Sequence, residues 1–397
     1  MRTDRNYLTW QALRRIATTI AAIGTIAAGS SLAEEGAPIK VGAIVQLSGA
    51  AAFLGPSEEG AYRMAVTEIN KKGGVLGRSL DLVIADSATD AAVANTDAKR
   101  LINDDGVAAL FASDTSAARE AILPVVKRNG KTPFFYDAIY EGHSCDPQMW
   151  VMGEVPETQI SPIVPYLQET MGGKTWYFVG DDYNWPHDTA KIAEKAIPDA
   201  GGKLVGEKFV PIGTTDFSSI LQDIASTKPR FVLLILLPSD AVAFMKQFHN
   251  QGLESTIQPI ATLVEQSAIA AMGPAANGLL IPAGYFPDTT PASKEFEQRY
   301  HEALGANAPL QNFIAINGYD ALHLWALAVE KAKSLKLDAV DNALAQVSWT
   351  GPRGTVRYSQ KTHHATFPIY LAKLDAKGAP EVIKDFGPVD PGAQCNF

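Results

Sequence analysis

From Pro38 onward, short apolar runs rich in β-branched and aromatic residues alternate with longer stretches whose apolar positions recur every three or four residues. Such alternation predicts parallel sheets covered on both faces by helices, because a strand that feeds a crossover helix re-enters its sheet in the same direction. The predicted strands are 39–46, 79–86, 108–112, 133–136, 175–179, 203–211, 231–237, 259–262 and 278–281. Between the first two, 57–72 reads as a helix. Ser57 can cap it, Glu58 and Glu59 suit the positive end of its dipole, and Gly73-Gly74 stops it. A second series of strands and helices starts near Thr158, so the fold class is α/β with two similar lobes. No short-period repeat points to a solenoid.

The first 33 residues read as an address. Arg2, Arg5, Arg14 and Arg15 precede an apolar run over 16–28, and Ser31-Leu32-Ala33 supplies small residues at a cleavage site, the pattern of a secretory signal peptide cut after Ala33. A membrane span would need about 20 apolar residues to cross the hydrocarbon core, more than this run supplies. The 397-residue chain has 34 Lys and Arg against 43 Asp and Glu, a formal charge of −9. The first 33 residues hold four arginines and Asp4, a net +3, so cleavage leaves −12. An acidic chain lacks the clustered positive surface that phosphate-backbone binding requires, so nucleic acid is not expected as a partner. Two cysteines, Cys145 and Cys395, are too few for a thiol-rich zinc site or a dense disulfide scaffold.

Catalytic and nucleotide motifs were sought at the turns where they would act. The loop after the first strand, Leu47-Ser48-Gly49 through Gly55, carries neither G-x-G-x-x-G nor G-x-x-x-x-G-K-[ST]. No G-x-S-x-G elbow occurs. His363-His364 would point to opposite faces of a strand and has no third ligand at metal spacing, so no metal is expected. Asp104-Asp105 precedes Gly106 in a loop, whereas Asp181-Asp182 ends a strand, the more informative place.

In open α/β sheets ligands bind beyond the carboxyl ends of the strands, so the residues following each strand are the candidates. Ser113-Asp114-Thr115-Ser116 leads into an Ala-rich helix, where hydroxyls and free N–H groups suit a carboxylate or amide carbonyl, and where Ser or Thr can equally act as a cap. Asp137-Ala138-Ile139-Tyr140-Glu141-Gly142 and Gly180-Asp181-Asp182-Tyr183-Asn184-Trp185-Pro186 follow two further strands and supply aromatic walls and carboxylates. Asp137 would suit an ammonium or amide NH₂, since a desolvated anion needs a partner.

Taken together, Val41-Gly42-Ala43, Leu47-Ser48-Gly49, Gly55, Gly60, the run from Ile69-Asn70 to Gly77-Arg78, and Asp86 resemble the type I periplasmic solute-binding proteins of ABC importers for branched-chain amino acids, amides and urea. Phe217-Ser218-Ser219-Ile220 with Lys228-Pro229-Arg230-Phe231-Val232 looks like that family's second lobe. Phe135-Tyr136, Tyr140-Glu141-Gly142, Cys145 and Asp182-Tyr183-Asn184-Trp185-Pro186 look like its amide- and urea-binding branch. The chain departs from both branches. Tyr136-Asp137-Ala138 and Ala261 stand where the amino-acid branch has an S-P-x-A-T turn and a glutamate for the ammonium, and Asp137 and His187 stand where the amide branch has Pro and Arg.

The resemblance implies two lobes joined by three crossovers, near 154–159, 283–288 and 357–366. Lobe one would comprise 38–157 plus 286–358, and lobe two 158–285 plus 359–397. Ligand would be caught between them by hinge closure and delivered to an inner-membrane permease, with no bond broken, no cofactor and a monomeric chain. Carried over by position, Ser113 with Thr115 or Ser116 would hold the polar head of the ligand. Tyr136 and Ala138 would line the same wall, and Trp185, Tyr183, Leu237 and Thr262 would face them from lobe two, with Leu54 at the entrance. In an exported protein two cysteines favour a disulfide, and Cys145 and Cys395 both lie near predicted lobe-two segments. Ligand-sensing regulators and receptor domains share this fold, so a sensing role is the alternative to transport, and an exported enzyme is the other class.

Overall fold

The computed structural model describes residues 36–395, so the signal-peptide reading of 1–33 lies outside the described residues. The first series runs β1 (Ile39–Val45), α1 (Gly55–Lys71), β2 (Leu80–Asp86), α2 (Ala91–Lys99), β3 (Leu110–Ala112), α3 (Ser116–Asn129), β4 (Phe134–Tyr136) and β5 (Met149–Val151). The second runs α4 (Pro156–Gln159), α5 (Ile163–Met171), β6 (Thr175–Asp181), α6 (Asn184–Asp199), β7 (Lys203–Val210), α7 (Ser218–Thr227), β8 (Phe231–Ile235), α8 (Pro238–Asn250), β9 (Gln258–Ala261), α9 (Gln266–Met272) and β10 (Leu280–Ala283). The chain ends with α10 (Pro291–Leu304), α11 (Phe313–Ala332), α12 (Leu337–Leu344), β11 (Trp349–Gly351), β12 (Gly354–Tyr358), β13 (Ala365–Leu374) and β14 (Pro380–Val389).

Two sheets result, one per lobe. Lobe one has the order β2-β1-β3-β4-β5, parallel throughout. Lobe two has the order β11-β12-β13-β10-β9-β8-β6-β7, with β14 also paired to β13. Its β6–β10 portion is parallel and the β10–β14 portion antiparallel. Every residue of β8 is buried, as a parallel strand covered on both faces must be. The nine strands expected from the sequence form within two residues of the predicted ends.

Five strands were not anticipated: β5 and β11 to β14. Met149–Val151 is too short to show a period. Pro380 and Pro388 lie on β14, an edge strand where a missing N–H can face away from the partner, and Pro368 falls on β13 between its pairs with β12 and β10. Residues 349–358, expected with lobe one, continue into lobe two through the Arg357–Thr366 and Tyr358–Ala365 pairs.

The first helix also differs from expectation. Pro56 lies in its first turn and the helix starts two residues early, so Ser57 is not its cap. Instead Ser57 Oγ donates to Leu54 O (3.0 Å) and accepts from Asn312 Nδ2 (2.6 Å). Glu58 is completely buried, near Asp114 and Asp137, and does not meet solvent at a helix end.

A buried polar junction ties the segments that pass between the sheets. Glu154, just after β5, accepts from Gly284 N (3.0 Å) beyond β10 and from Asn317 Nδ2 (3.1 Å) on α11. Asn317 Oδ1 accepts from Arg353 (2.7 Å), which also donates to Asp320 Oδ2 (2.8 Å). Burial pushes the Asp320 carboxyl up to about 6 while Arg353 opposes that rise. Gly318 lets α11 approach α1 here, since a Cβ would sit 2.6 Å from the Tyr62 ring.

Cys145 and Cys395 are bonded, with S–S 2.01 Å. Cys145 lies between β4 and β5, in lobe one, inside the bounds expected for that lobe though close to the start of lobe two. The bond therefore ties the tail beyond β14 to lobe one.

Candidate functional site

The carboxyl ends of both sheets meet across a closed cleft containing a cavity of about 20 Å³. Lobe one contributes Gln46 at the end of β1, Leu54 before α1, Asp114, Thr115 and Ser116 between β3 and α3, Ala138 and Ile139 after β4, and Ile314 on α11. Lobe two contributes Tyr183 and Trp185 after β6, Leu237 after β8 and Leu263 after β9. Seven of the eleven residues expected from the sequence meet here: Leu54, Thr115, Ser116, Ala138, Tyr183, Trp185 and Leu237.

The polar end belongs to lobe one. Thr115 is the N-cap of α3, its Oγ1 accepting from Ala118 N (3.2 Å), so capping and a place at the cavity coexist in one residue. The first N–H groups of α3 have no carbonyl four residues back and carry the positive end of its dipole. Asp114 Oδ1 accepts from Thr115 N (2.6 Å), whereas among the described residues Oδ2 has no hydrogen-bond partner. Burial pushes this carboxyl up to about 7, partly offset by hydrogen bonds from Ser87 and Thr115. Gln46 Nε2 donates to Ser113 O (3.0 Å), and its Oε1 has no partner among the described residues.

Four expected residues stand behind the wall. Ser113 Oγ lies 3.1 Å from Tyr62 Oη, which donates to Asp137 Oδ2 (2.7 Å). Asp137 is fully buried and turned into lobe one, with its carboxyl pushed up to about 7 by burial. Tyr136 donates its hydroxyl to Asp114 O (2.6 Å) and so fixes the turn that carries Asp114. Thr262 accepts at its carbonyl from Gln159 (3.1 Å) and is not among the cavity-lining residues.

Asp181, singled out in the sequence, and Glu265 hold lobe two together. Asp181 Oδ2 accepts from Leu237 N (2.6 Å), joining the ends of β6 and β8, and burial pushes it up to about 8. Glu265 caps α9 by accepting from Ser267 N (2.8 Å) and Ala268 N (2.6 Å). The sequence reading missed Gln46, Asp114, Ile139, Leu263 and Ile314 as lining residues. Four of them adjoin residues or strand ends it did single out, but Ile314 sits in a uniformly apolar helix that gives no local sign of facing a cleft.

The sequence from 38 to 379 matches the family described as periplasmic binding protein. The chain belongs to this family. It falls in the type I group with the Leu/Ile/Val-binding proteins. It is 28% identical over 371 residues to Leu/Ile/Val-binding protein homolog 6 of Brucella suis, covering 91% of this chain and 93% of that protein. A solute-binding protein of an ABC transporter from R. palustris, solved with 4-hydroxybenzoate, superposes with TM-score 0.82 at 21% identity, covering 90% of this chain and 99% of that one. The branched-chain amino acid transporter substrate-binding protein LivJ of Streptococcus pneumoniae, solved with isoleucine, gives 0.78 at 20% identity, covering 89% and 100%. Periplasmic binding proteins capture small molecules for a membrane transporter and are not enzymes; this membership places the chain's work in the periplasm. No described helix is long and apolar enough to cross a membrane.

Proposed function

We propose that this chain, exported by its N-terminal 33 residues, captures a small amphipathic solute of amino-acid or short-amide size and hands it to an inner-membrane permease as a monomer. The observation that carries the reading is the division of the cavity wall. Gln46, Asp114, Thr115 and Ser116 gather on lobe one, while Trp185, Leu237, Leu263 and Ile314 supply apolar surface around them. A solute with a polar head and an apolar body satisfies both ends, and urea, which has no apolar body, satisfies only one. The two lobes, with 349–358 on the sheet of the second, would turn about their connections to admit it. A cavity of about 20 Å³ holds one water at most, far below the ~300–1,000 Å³ of ligand pockets, so entry requires the lobes to part.

The test is a thermal melt of the chain from Glu34 with aliphatic amino acids, aliphatic and aromatic amides, the matching carboxylates and urea. Ligand at 100 times its Kd adds about 2.7 kcal/mol, which raises the midpoint of a chain this size by roughly 5 °C. A rise with head-and-body solutes and none with urea supports the reading. A rise with urea alone overturns the assignment of solute class.

A further inference from the structure

A buried ion pair stands beside the cavity, one residue removed from its wall. Arg119, on the second turn of α3, has no exposed side-chain surface and forms an ion pair with Glu141, its guanidinium 4.5 Å from the Tyr140 ring centroid and 5.0 Å from that of Tyr136. The same Glu141 carboxylate accepts from Ser116 Oγ (2.5 Å), and Ser116 lines the cavity. A carboxylate can only accept, so the single hydroxyl proton of Ser116 is committed to Glu141. What Ser116 keeps for the cavity is its lone pairs.

We infer that Glu141, held by Arg119 and by the disulfide-anchored loop, fixes Ser116 as an acceptor and so selects solutes whose head carries N–H donors over bare carboxylates. This rests on the solute-capture reading above and goes beyond it by naming the residue that sets the preference. Two acceptors then line the cavity, Ser116 Oγ and Gln46 Oε1, the second without a partner among the described residues. Leaving buried acceptors unpaired costs about 1–3 kcal/mol each, so a head that brings N–H groups recovers what a carboxylate cannot. No Lys or Arg is among the described lining residues to favour an anion, and the tyrosine nearest the turn has given its proton to Asp114 O. The N–H groups that open α3 remain for one carbonyl or carboxylate oxygen, so a primary amide or an α-amino acid fills both sets.

Glu141 is kept in place from the far side. Cys145 is bonded to Cys395, and His143 N donates to Gln394 Oε1 (3.2 Å). Gly142 adopts φ +87°, and a Cβ there would collide with the Gln394 amide. The tail beyond β14 thus braces the loop that orients Ser116.

Matched solutes test the inference: isovaleramide, leucine and isovalerate share one apolar body, as do benzamide and benzoate. By calorimetry, isovaleramide or leucine should bind at least about tenfold tighter than isovalerate, or benzamide than benzoate. In Glu141→Gln the new amide can donate to Ser116 while its oxygen still accepts from Arg119, so the Ser116 proton turns to the cavity. The amide-to-carboxylate preference should then fall about tenfold or invert. Ser116→Ala, which removes the acceptor without touching the ion pair, should weaken amides and leave carboxylates unchanged; it carries the test if Glu141→Gln does not fold. Equal or tighter binding of carboxylates by the native chain overturns the inference while solute capture stands. An unchanged preference in both variants overturns it too. Absence of binding by every solute defeats the head-and-body reading and this inference together.

Discussion

The two walls of the cleft are built from the same kind of turn, a parallel strand running into a helix, yet they differ in chemistry. On lobe one, Gln46, Asp114, Thr115 and Ser116 are held by a web of buried hydrogen bonds reaching to Tyr136, Glu141 and Arg119. On lobe two, Trp185, Leu237 and Leu263 meet the cavity with apolar surface, and the carboxylates Asp181 and Glu265 are spent on backbone N–H groups. Hydrogen-bonded groups at fixed positions discriminate one head from another, because a mismatch leaves a buried group unpaired. Apolar surface contributes affinity in proportion to area and discriminates weakly. On the proposed function, lobe one is the wall that selects and lobe two the wall that closes.

The largest expected effect lies at the junction between them. Arg353→Ala removes the buried cation that faces Asp320 and should destabilise the fold by about 3–5 kcal/mol, read by urea unfolding. A loss below 1 kcal/mol would show that the walls are held independently of this hub. Next comes the tail. Replacing Cys145 and Cys395 together with serine opens a link between residues 250 apart in sequence and should cost about 2–4 kcal/mol. An unchanged midpoint on reduction would mean that the tail is no brace for lobe one.

Two smaller effects separate the walls directly. Trp185→Ala should weaken every bound solute by roughly 10–50-fold whatever its head, since it removes apolar area alone. If instead it alters the ranking of heads, selection is shared between the lobes. Asp181→Asn gives a change that depends on pH. With its carboxyl pushed up to about 8 in the fold and near 3.9 when unfolded, the native chain holds one more proton between those values. Its stabilising contribution is full below pH 4 and is lost as pH rises towards 8. The variant should therefore melt above the native chain at pH 8, with the gap narrowing towards pH 5. A gap that widens on acidification would show that Asp181 is ionised in the fold and serves lobe two as an anion.

Much of this was legible along the chain. The nine predicted strands, the turn after β3 and the aromatic turn after β6 follow from periodicity and capping, which act over a few residues. The same local logic misread Ser57, because Pro56 starts the helix earlier, and missed β13 and β14, whose prolines find gaps and an edge in the ladder that only the sheet provides. Asp137 shows the limit most clearly. As a residue following a strand it qualifies for the cleft, but Tyr62, 75 positions earlier, draws its carboxyl inward.

By itself, then, the sequence determined an α/β chain of two lobes and the turns that could meet a ligand, since each rests on spacing within short segments, and its motifs resemble the family to which the chain belongs. Only the tertiary structure decided which of those residues share a wall, that Ile314 of α11 joins them, and that Cys395 braces the loop carrying Glu141. Burial, the polarity of a hydroxyl and the loss of solvent around a carboxylate arise from groups brought together across the chain, and no local pattern encodes them.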